Sequence, residues 1–164
     1  VSDTNDPPFS IVVGRSRSRG LEIEVPATFT QRWRGIINYT YLDTGVVRDP
    51  LIPIGTPLVN APEHSASLWT SYDFDGAWDG VTAVVGVLHI GERAATSTDT
   101  IRIPGYTRID MSLGYGFDTV IGRVKTQLTI QNVGSEFYYD SGGSFLPVFP
   151  GAPRTVTFSA SVRF

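Results

Sequence analysis

The chain closes on RTVTFSASVRF, in which Val156, Phe158, Ala160, Val162 and Phe164 alternate with Thr155, Thr157, Ser159, Ser161 and Arg163. A side-chain period of two belongs to extended backbone, where neighbours point to opposite faces. One face of this segment is therefore apolar to the last residue, and the other carries hydroxyls and a cation. Whatever the chain folds into must give each of those faces a suitable neighbour.

The same period recurs along the whole chain. LEIEV sets Leu21, Ile23 and Val25 against Glu22 and Glu24. QRWRGIINYTY sets Trp33, Gly35, Ile37, Tyr39 and Tyr41 against Arg32, Arg34, Ile36, Asn38 and Thr40. SASLWTSYDF, YTRIDMSLGYGF and VKTQLTIQ follow suit, while VTAVVGVLHIG is apolar on both faces and leaves its orientation open. Seven strands and no helical periodicity predict an all-β, antiparallel fold. Plentiful Gly and Pro, with a single Met, agree with that. There is no cysteine, which removes thiol catalysis, thiolate metal sites and disulfides. A net charge of −3 gives no global attraction to nucleic acid. No apolar run reaches the ~18 residues of a spanning helix, and no basic-then-apolar leader opens the chain. It starts on Val1, so a processed chain or a piece of a longer one is expected.

Connections alternate in length. Short ones are expected near 27–32, 75–80 and 118–123, and long ones, rich in Pro, Gly, Asp, Ser and Thr, over 43–63, 92–105 and 138–154. Two architectures accommodate this. In a soluble sandwich the apolar faces meet in a core. In an outer-membrane barrel they meet lipid, with short turns on one rim and long loops on the other. Strands of about ten residues, longer than the usual ~5–6, favour the barrel. So do the aromatics near the short turns: Phe29, Trp33, Phe74, Trp78, Phe117 and Phe164. On that reading the apolar face of the last strand meets lipid.

Seven motifs, in order, resemble those of TonB-dependent siderophore receptors. SRSRGLEIEV resembles a RSRG(I/L)E(L/I)E strand, and NAPEHSASLWTSYDF resembles a VPxHxASLWxxY segment. INYTYLDT, GVLHIGER, IPGYTRIDMSLGY and LTIQNVGSEFYY also have counterparts, and PGAPRTVTFSASVRF resembles a GxPRxxxxSxxYRF terminus. His89 stands where Tyr is common, and Gly134 and Ser135 depart from the usual Leu/Phe and Asp.

The resemblance implies that residues 1–164 are the C-terminal portion of a larger barrel of about 22 strands. The plug domain, the segment that TonB contacts and the earlier strands would lie outside it, and seven strands would not close alone. It also implies transport of ferric siderophores across the outer membrane of a Gram-negative bacterium, energised through TonB by way of the plug. Iron would travel as the chelate, with no directly bound cofactor or protein metal ligand. Partners would be the siderophore, the TonB complex, outer-membrane lipid and lipopolysaccharide, and the barrel-assembly machinery, for which Phe164 resembles the signal. Nucleic acid is not expected, nor is enzymatic activity. Rivals are a soluble β-sandwich binding module and a barrel remnant without transport.

Candidate site residues follow. Tyr41, Arg93, Tyr138 and Tyr139 are expected on long loops, with Asp43, Asp49, Asp99 and Phe145, where aromatic and charged tips suit a bulky anionic chelate. Glu22, Glu24, Arg32, Arg34, Arg108, Asp110 and Lys125 are expected to face the lumen, with Glu22, Glu24, Arg108 and Asp110 as plug contacts. RSRSR at 15–19 reads either as a phosphate or nucleic-acid patch or as a charged strand end at the level of lipopolysaccharide, and the acidic chain favours the second. His64 and His89 lack partners at metal-ligand spacing, and DTNDP lacks the glycine and distal glutamate of a calcium loop.

Overall fold

The structure, a computed structural model, describes residues 14–143 and 148–164. DTNDP and Phe145 lie outside the described residues. Seven strands pair antiparallel in chain order as a single meander: β1 (Arg15–Thr28), β2 (Trp33–Arg48), β3 (His64–Asp73), β4 (Val81–Ile90), β5 (Tyr106–Thr119), β6 (Gly122–Gln131) and β7 (Thr155–Arg163). Short connections span 29–32, 74–80 and 120–121, and long ones span 49–63, 91–105 and 132–154.

Two boundaries differ from the sequence expectation. β2 runs on to Arg48, so Tyr41 and Asp43 lie in a strand rather than a loop. Hydrophobic alternation ends near Tyr41, yet the backbone ladder with β1 continues up to the pair Arg15–Arg48. β6 stops at Gln131, because Asn132 turns left-handed with φ 53°.

Register decides the faces, since residues directly opposite in an antiparallel pair share one. Leu21 faces Tyr41, Val25 faces Ile37, Ile37 faces Leu68, and Leu68 faces Val87. Val87 faces Ile109, Met111 faces Ile130, and Ile130 faces Val156. The apolar stripes of all seven strands thus merge into one continuous face. No second sheet covers it among the described residues, and Phe158 stays 68% exposed. A sandwich core requires such a cover, so that alternative is overturned. The sheet is open, with β1 and β7 as its edges.

The opposite face is polar in rows, such as Glu24–Asn38–Ser67 and Ser112–Thr129–Thr157. VTAVVGVLHIG now has a direction. Val81, Ala83, Val85 and Val87 join the apolar face, while Val84, Gly86 and Leu88 look to the polar side. There Trp69 of β3 lies across Gly86, where any Cβ would overlap the indole ring. Two carboxylates close the short-turn end on this side: Asp73 accepts from Arg34 at 2.6 Å, and Asp75 pairs with Arg32. Arg32 itself precedes β2, in a turn, rather than projecting from a strand as expected.

Aromatic side chains border the apolar face at both ends. Phe29 packs on Trp33, Tyr72 on Phe74 and Tyr115 on Phe117 near the short turns. At the other end Tyr39 hydrogen bonds His64 Nδ1 at 2.9 Å, and the rings of Tyr41 and His64 lie 5.4 Å apart. From Trp33 to Tyr41 is about 27 Å along β2, or about 20 Å along the membrane normal at a strand tilt near 40°. That height falls a little short of the roughly 25 Å apolar band of an outer-membrane wall.

Candidate functional site

The tightly packed interior of this chain lies among its long loops, not against the sheet. Ala94, Ala95, Ile103, Tyr106, Asn132 and Tyr138 are all buried there. Arg93–Ala94 and Arg102–Ile103 form one short ribbon, and Tyr139–Ser141 pairs with Phe149–Pro150 in another.

Asn60 ties the three loops together. Its backbone N–H donates to the Ala94 carbonyl at 3.0 Å. Its side-chain amide brackets Gly142, donating to the carbonyl at 3.0 Å and accepting from the N–H at 2.6 Å. A Cβ on Gly142 would run into the backbone of Ala95. Gly142→Ala is accordingly expected to loosen the loops while leaving the wall intact. Limited proteolysis of the membrane-embedded protein should show several-fold faster cleavage in the long loops, with the seven-stranded sheet left resistant.

A chain of aromatic and charged groups links these loops to the polar face of β5. Arg93 is 4% exposed, and its Nη2 donates to the carbonyls of Tyr139 and Asp140 at 2.9 and 2.6 Å. Its guanidinium carbon sits 5.9 Å from the Tyr106 ring centre, a cation–π distance. Tyr106 stacks on Tyr138 with centroids 4.2 Å apart. The Tyr138 hydroxyl accepts from Arg108 Nη1 at 3.0 Å. Arg108 also donates to Asp110 Oδ2 through Nε and Nη2, at 3.2 and 2.9 Å. Asp110 Oδ1 in turn accepts the backbone N–H of Asn132 at 2.8 Å. Arg93 Nη1 is buried and has no partner among the described residues.

Between the first two long loops opens a cleft of about 400 Å³, lined by Asp43, Thr44, Glu63, Glu92, Arg93 and Arg102. Arg102 joins Asp99 at 2.9 Å and Glu92 at 3.0 Å. Its hydrogen bond to Asp99, foremost, holds its proton more tightly than in water, outweighing the opposite effect of burial. The cleft therefore presents both signs of charge on walls that also include Leu42, Pro57 and Ala61. Among the described residues no three His, Asp or Glu side chains gather in a metal-holding group.

The anticipated site residues part company here. Arg93 and Tyr138 are interior members of the loop packing, and Tyr139 is half-buried with its ring edge-on to the exposed Phe137. Tyr41 sits on the apolar face opposite Leu21 and His64, away from the other three. Glu22 and Glu24 are exposed on the polar face of β1, sharing that face with Arg108 and Asp110. Phe164 is 97% exposed at the short-turn end. Asn60, Asn132 and Gly142 were not anticipated. Asn60 and Asn132 adopt positive φ, which asparagine tolerates better than most residues, and Asn132 also falls within the LTIQNVGSEFYY motif.

Comparison with known proteins agrees with this geometry. A family model described as "TonB dependent receptor-like, beta-barrel" matches residues 1–133. The chain is 30% identical to the metal-pseudopaline receptor CntO of Pseudomonas aeruginosa, over 99% of this chain and 23% of that protein. It is also 30% identical to the ferrichrome outer membrane transporter/phage receptor of Escherichia coli K12, over 95% of this chain and 21% of that one. Among solved structures, the ferric preacinetobactin receptor BauA of Acinetobacter baumannii superposes with a TM-score of 0.80 at 22% identity, over 92% of this chain and 22% of that one. The chain thus spans between a fifth and a quarter of the length of these relatives.

Proposed function

The chain belongs to the TonB dependent receptor-like β-barrel family, and on that premise we propose that it is part of an outer-membrane receptor for ferric siderophores. The observation that carries this reading is the pairing of two features on one sheet. A continuous apolar face suits lipid, and three long loops gather at one rim above the polar side.

In the complete protein, residues 1–164 furnish the C-terminal part of a barrel of about 22 strands whose lumen holds a plug. TonB drives uptake by way of that plug. Glu22 and Glu24 face the plug, whereas Arg108 and Asp110 satisfy each other and hold the third long loop. Tyr139 and the charges of the cleft meet the chelate, with Arg93 and Tyr138 positioning the segment that carries Tyr139. Tyr41 serves at the membrane interface. Iron stays within its chelate, so the protein supplies no metal ligands. Phe164 acts as the signal for the assembly machinery. A second reading, favoured by the similarity to a metal-pseudopaline receptor, is uptake of another chelated metal.

The test is uptake by the full-length receptor in a strain stripped of its own siderophore receptors. Cells are offered a panel of siderophores loaded with radioactive iron, and the same panel loaded with other transition metals. Saturable uptake of one class of chelate, abolished by deleting TonB, is the expected result. Failure to bind every chelate, or uptake indifferent to TonB, overturns the reading.

A further inference from the structure

Gly114 and Gly116 occupy successive inward positions of β5, in line with Asp110 and Ser112. The wall itself requires glycine at neither. Neither backbone has a positive φ. A Cβ on Gly114 would come no closer than 3.7 Å, to the Thr126 carbonyl, and one on Gly116 no closer than 3.8 Å, to Arg123. Gly86 is different, because the Trp69 ring fills its space. A glycine inside a strand weakens it, and where the fold does not demand one it marks a close approach from outside the sheet. From Arg108 to Gly116 the inward side chains of β5 are half-buried or buried and the outward ones exposed, so the sheet curls over this bare floor. The hollow above the floor measures about 480 Å³, and Arg123, Lys125, Ser159 and Ser161 line it. Arg123, Lys125 and Ser161 also line a second hollow, of about 570 Å³, with Arg163 at the short-turn rim.

The cations of these hollows are under-paired. In register, Lys125 has Gly116 on one side and Ser161 on the other, and neither carries a counter-charge. Among the described residues, Lys125 and Arg163 form no ion pair, and Arg123 meets Asp118 only at 3.7 Å, both side chains exposed. By contrast, Arg34 and Arg108, inward arginines of β2 and β5, each hold a carboxylate at under 3 Å. Asp73 and Asp79 stand across the hollow, but Asp73 already accepts from Arg34 and from Thr82 Oγ1, at 2.6 and 2.7 Å.

We infer that Lys125, Arg123 and Arg163, beside the Gly114–Gly116 floor, form an exit-side station for an anionic chelate. The inference rests on the transport reading above, which supplies an anion and a direction of travel. Gly116 lies eight residues beyond Arg108, or about 27 Å along β5, so this station is separate from the contacts at the long-loop rim. A volume of this order suits a small molecule. Bare backbone lets a bulky, rigid chelate lie against the wall, and the hydroxyls of Ser159 and Ser161 offer donors to its oxygens. Exposed lysine and arginine on long stems, screened by water, bind an anion weakly. Weak binding is what a station on a path requires, since a passing ligand must be held without being trapped.

Lys125 is the sole lysine of residues 1–164, which gives a direct readout. Full-length receptor in detergent is treated with an amine-acylating reagent, and labelling at Lys125 is read by peptide mass spectrometry. Ferric citrate, a compact anionic chelate, should protect Lys125 about fivefold, and an uncharged ferric trihydroxamate should not. Absence of protection by ferric citrate, or equal protection by both, overturns the station. So does a Lys125 that resists acylation before any chelate is added, because another segment of the polypeptide then fills the hollow. In cells, Lys125→Gln together with Arg163→Gln should lower the maximal uptake of the imported radioactive chelates about fivefold, with affinity at the cell surface within about twofold of wild type. Gly114→Val should be at least as stable as wild type, since the wall has room for it and a β-branched residue suits a strand, yet it should slow uptake as well. Normal uptake in both variants, or a matching loss of surface affinity, overturns the inference. If wild type imports no member of the panel, the transport reading fails, while protection of Lys125 still reports whether the hollow takes an anion.

Discussion

Phe158→Arg is expected to cost the barrel about 2–4 kcal/mol, whereas Ser159→Arg, one residue along, should cost far less. Phe158 lies on the apolar face opposite Leu128, with Val156 on one side and Ala160, Val162 and Phe164 on the other. That places it well inside the hydrocarbon, where a guanidinium has neither water nor a carboxylate. Ser159 is opposite Gln127 on the polar face and lines a polar hollow with Lys125, Gln127 and Ser161. An arginine there keeps its hydration and meets at worst another cation. Urea unfolding of the full-length receptor in lipid vesicles would read the two costs side by side. Equal costs would mean that the faces have been assigned the wrong way round.

The same contrast explains why the wall was legible in the sequence. A strand between lipid and lumen must alternate strictly, and β5, β6 and β7 do so almost without exception. Register then follows, since a slip of one residue would turn every apolar side chain inward. β4 was the exception. Val84 and Leu88 are apolar on the inward side, and the glycine between them is reserved for the ring of Trp69 on the neighbouring strand. Nothing within VTAVVGVLHIG reports that ring. The upper half of β2 was hidden for a different reason. Above the membrane, Asp43, Thr44 and Gly45 no longer need to alternate, but their backbone groups still pair with β1.

The loops were the least legible part. Their aromatic and charged composition was visible, and so was their length. Which side chains face outward was not visible, because packing joins segments far apart in sequence. Asn60 and Gly142 are 82 residues apart, and Arg93 reaches carbonyls 46 and 47 residues away. Arginine and tyrosine look like exposed contacts in a loop sequence. Here Arg93 and Tyr138 instead supply the interior, with a guanidinium and a phenol ring doing what leucine does in a water-soluble core.

Asp110 is where that loop interior is fastened to the wall, and its removal should have the second large effect. The carboxylate is 5% exposed and accepts from Arg108 twice and from the Asn132 backbone once. Asp110→Ala leaves a backbone N–H without its acceptor and a largely buried guanidinium without its counter-charge. Breaking a buried pair in this way costs about 3–5 kcal/mol, and the lower end applies because Arg108 keeps some contact with solvent. Asp110→Asn retains an acceptor for Asn132 and loses only the charge, so it should cost less than the alanine variant. Tyr138→Phe removes one acceptor from Arg108 and should cost about 1 kcal/mol. The readout is unfolding of the full-length receptor together with proteolysis of residues 132–154. Asp110→Ala should both lower stability and release that loop, while Ser159→Arg should do neither. A double-mutant cycle between Asp110→Ala and Arg108→Met then isolates the ion pair. Coupling below about 0.5 kcal/mol would mean that the two residues act independently, and that the loop is held by the stacked tyrosines alone.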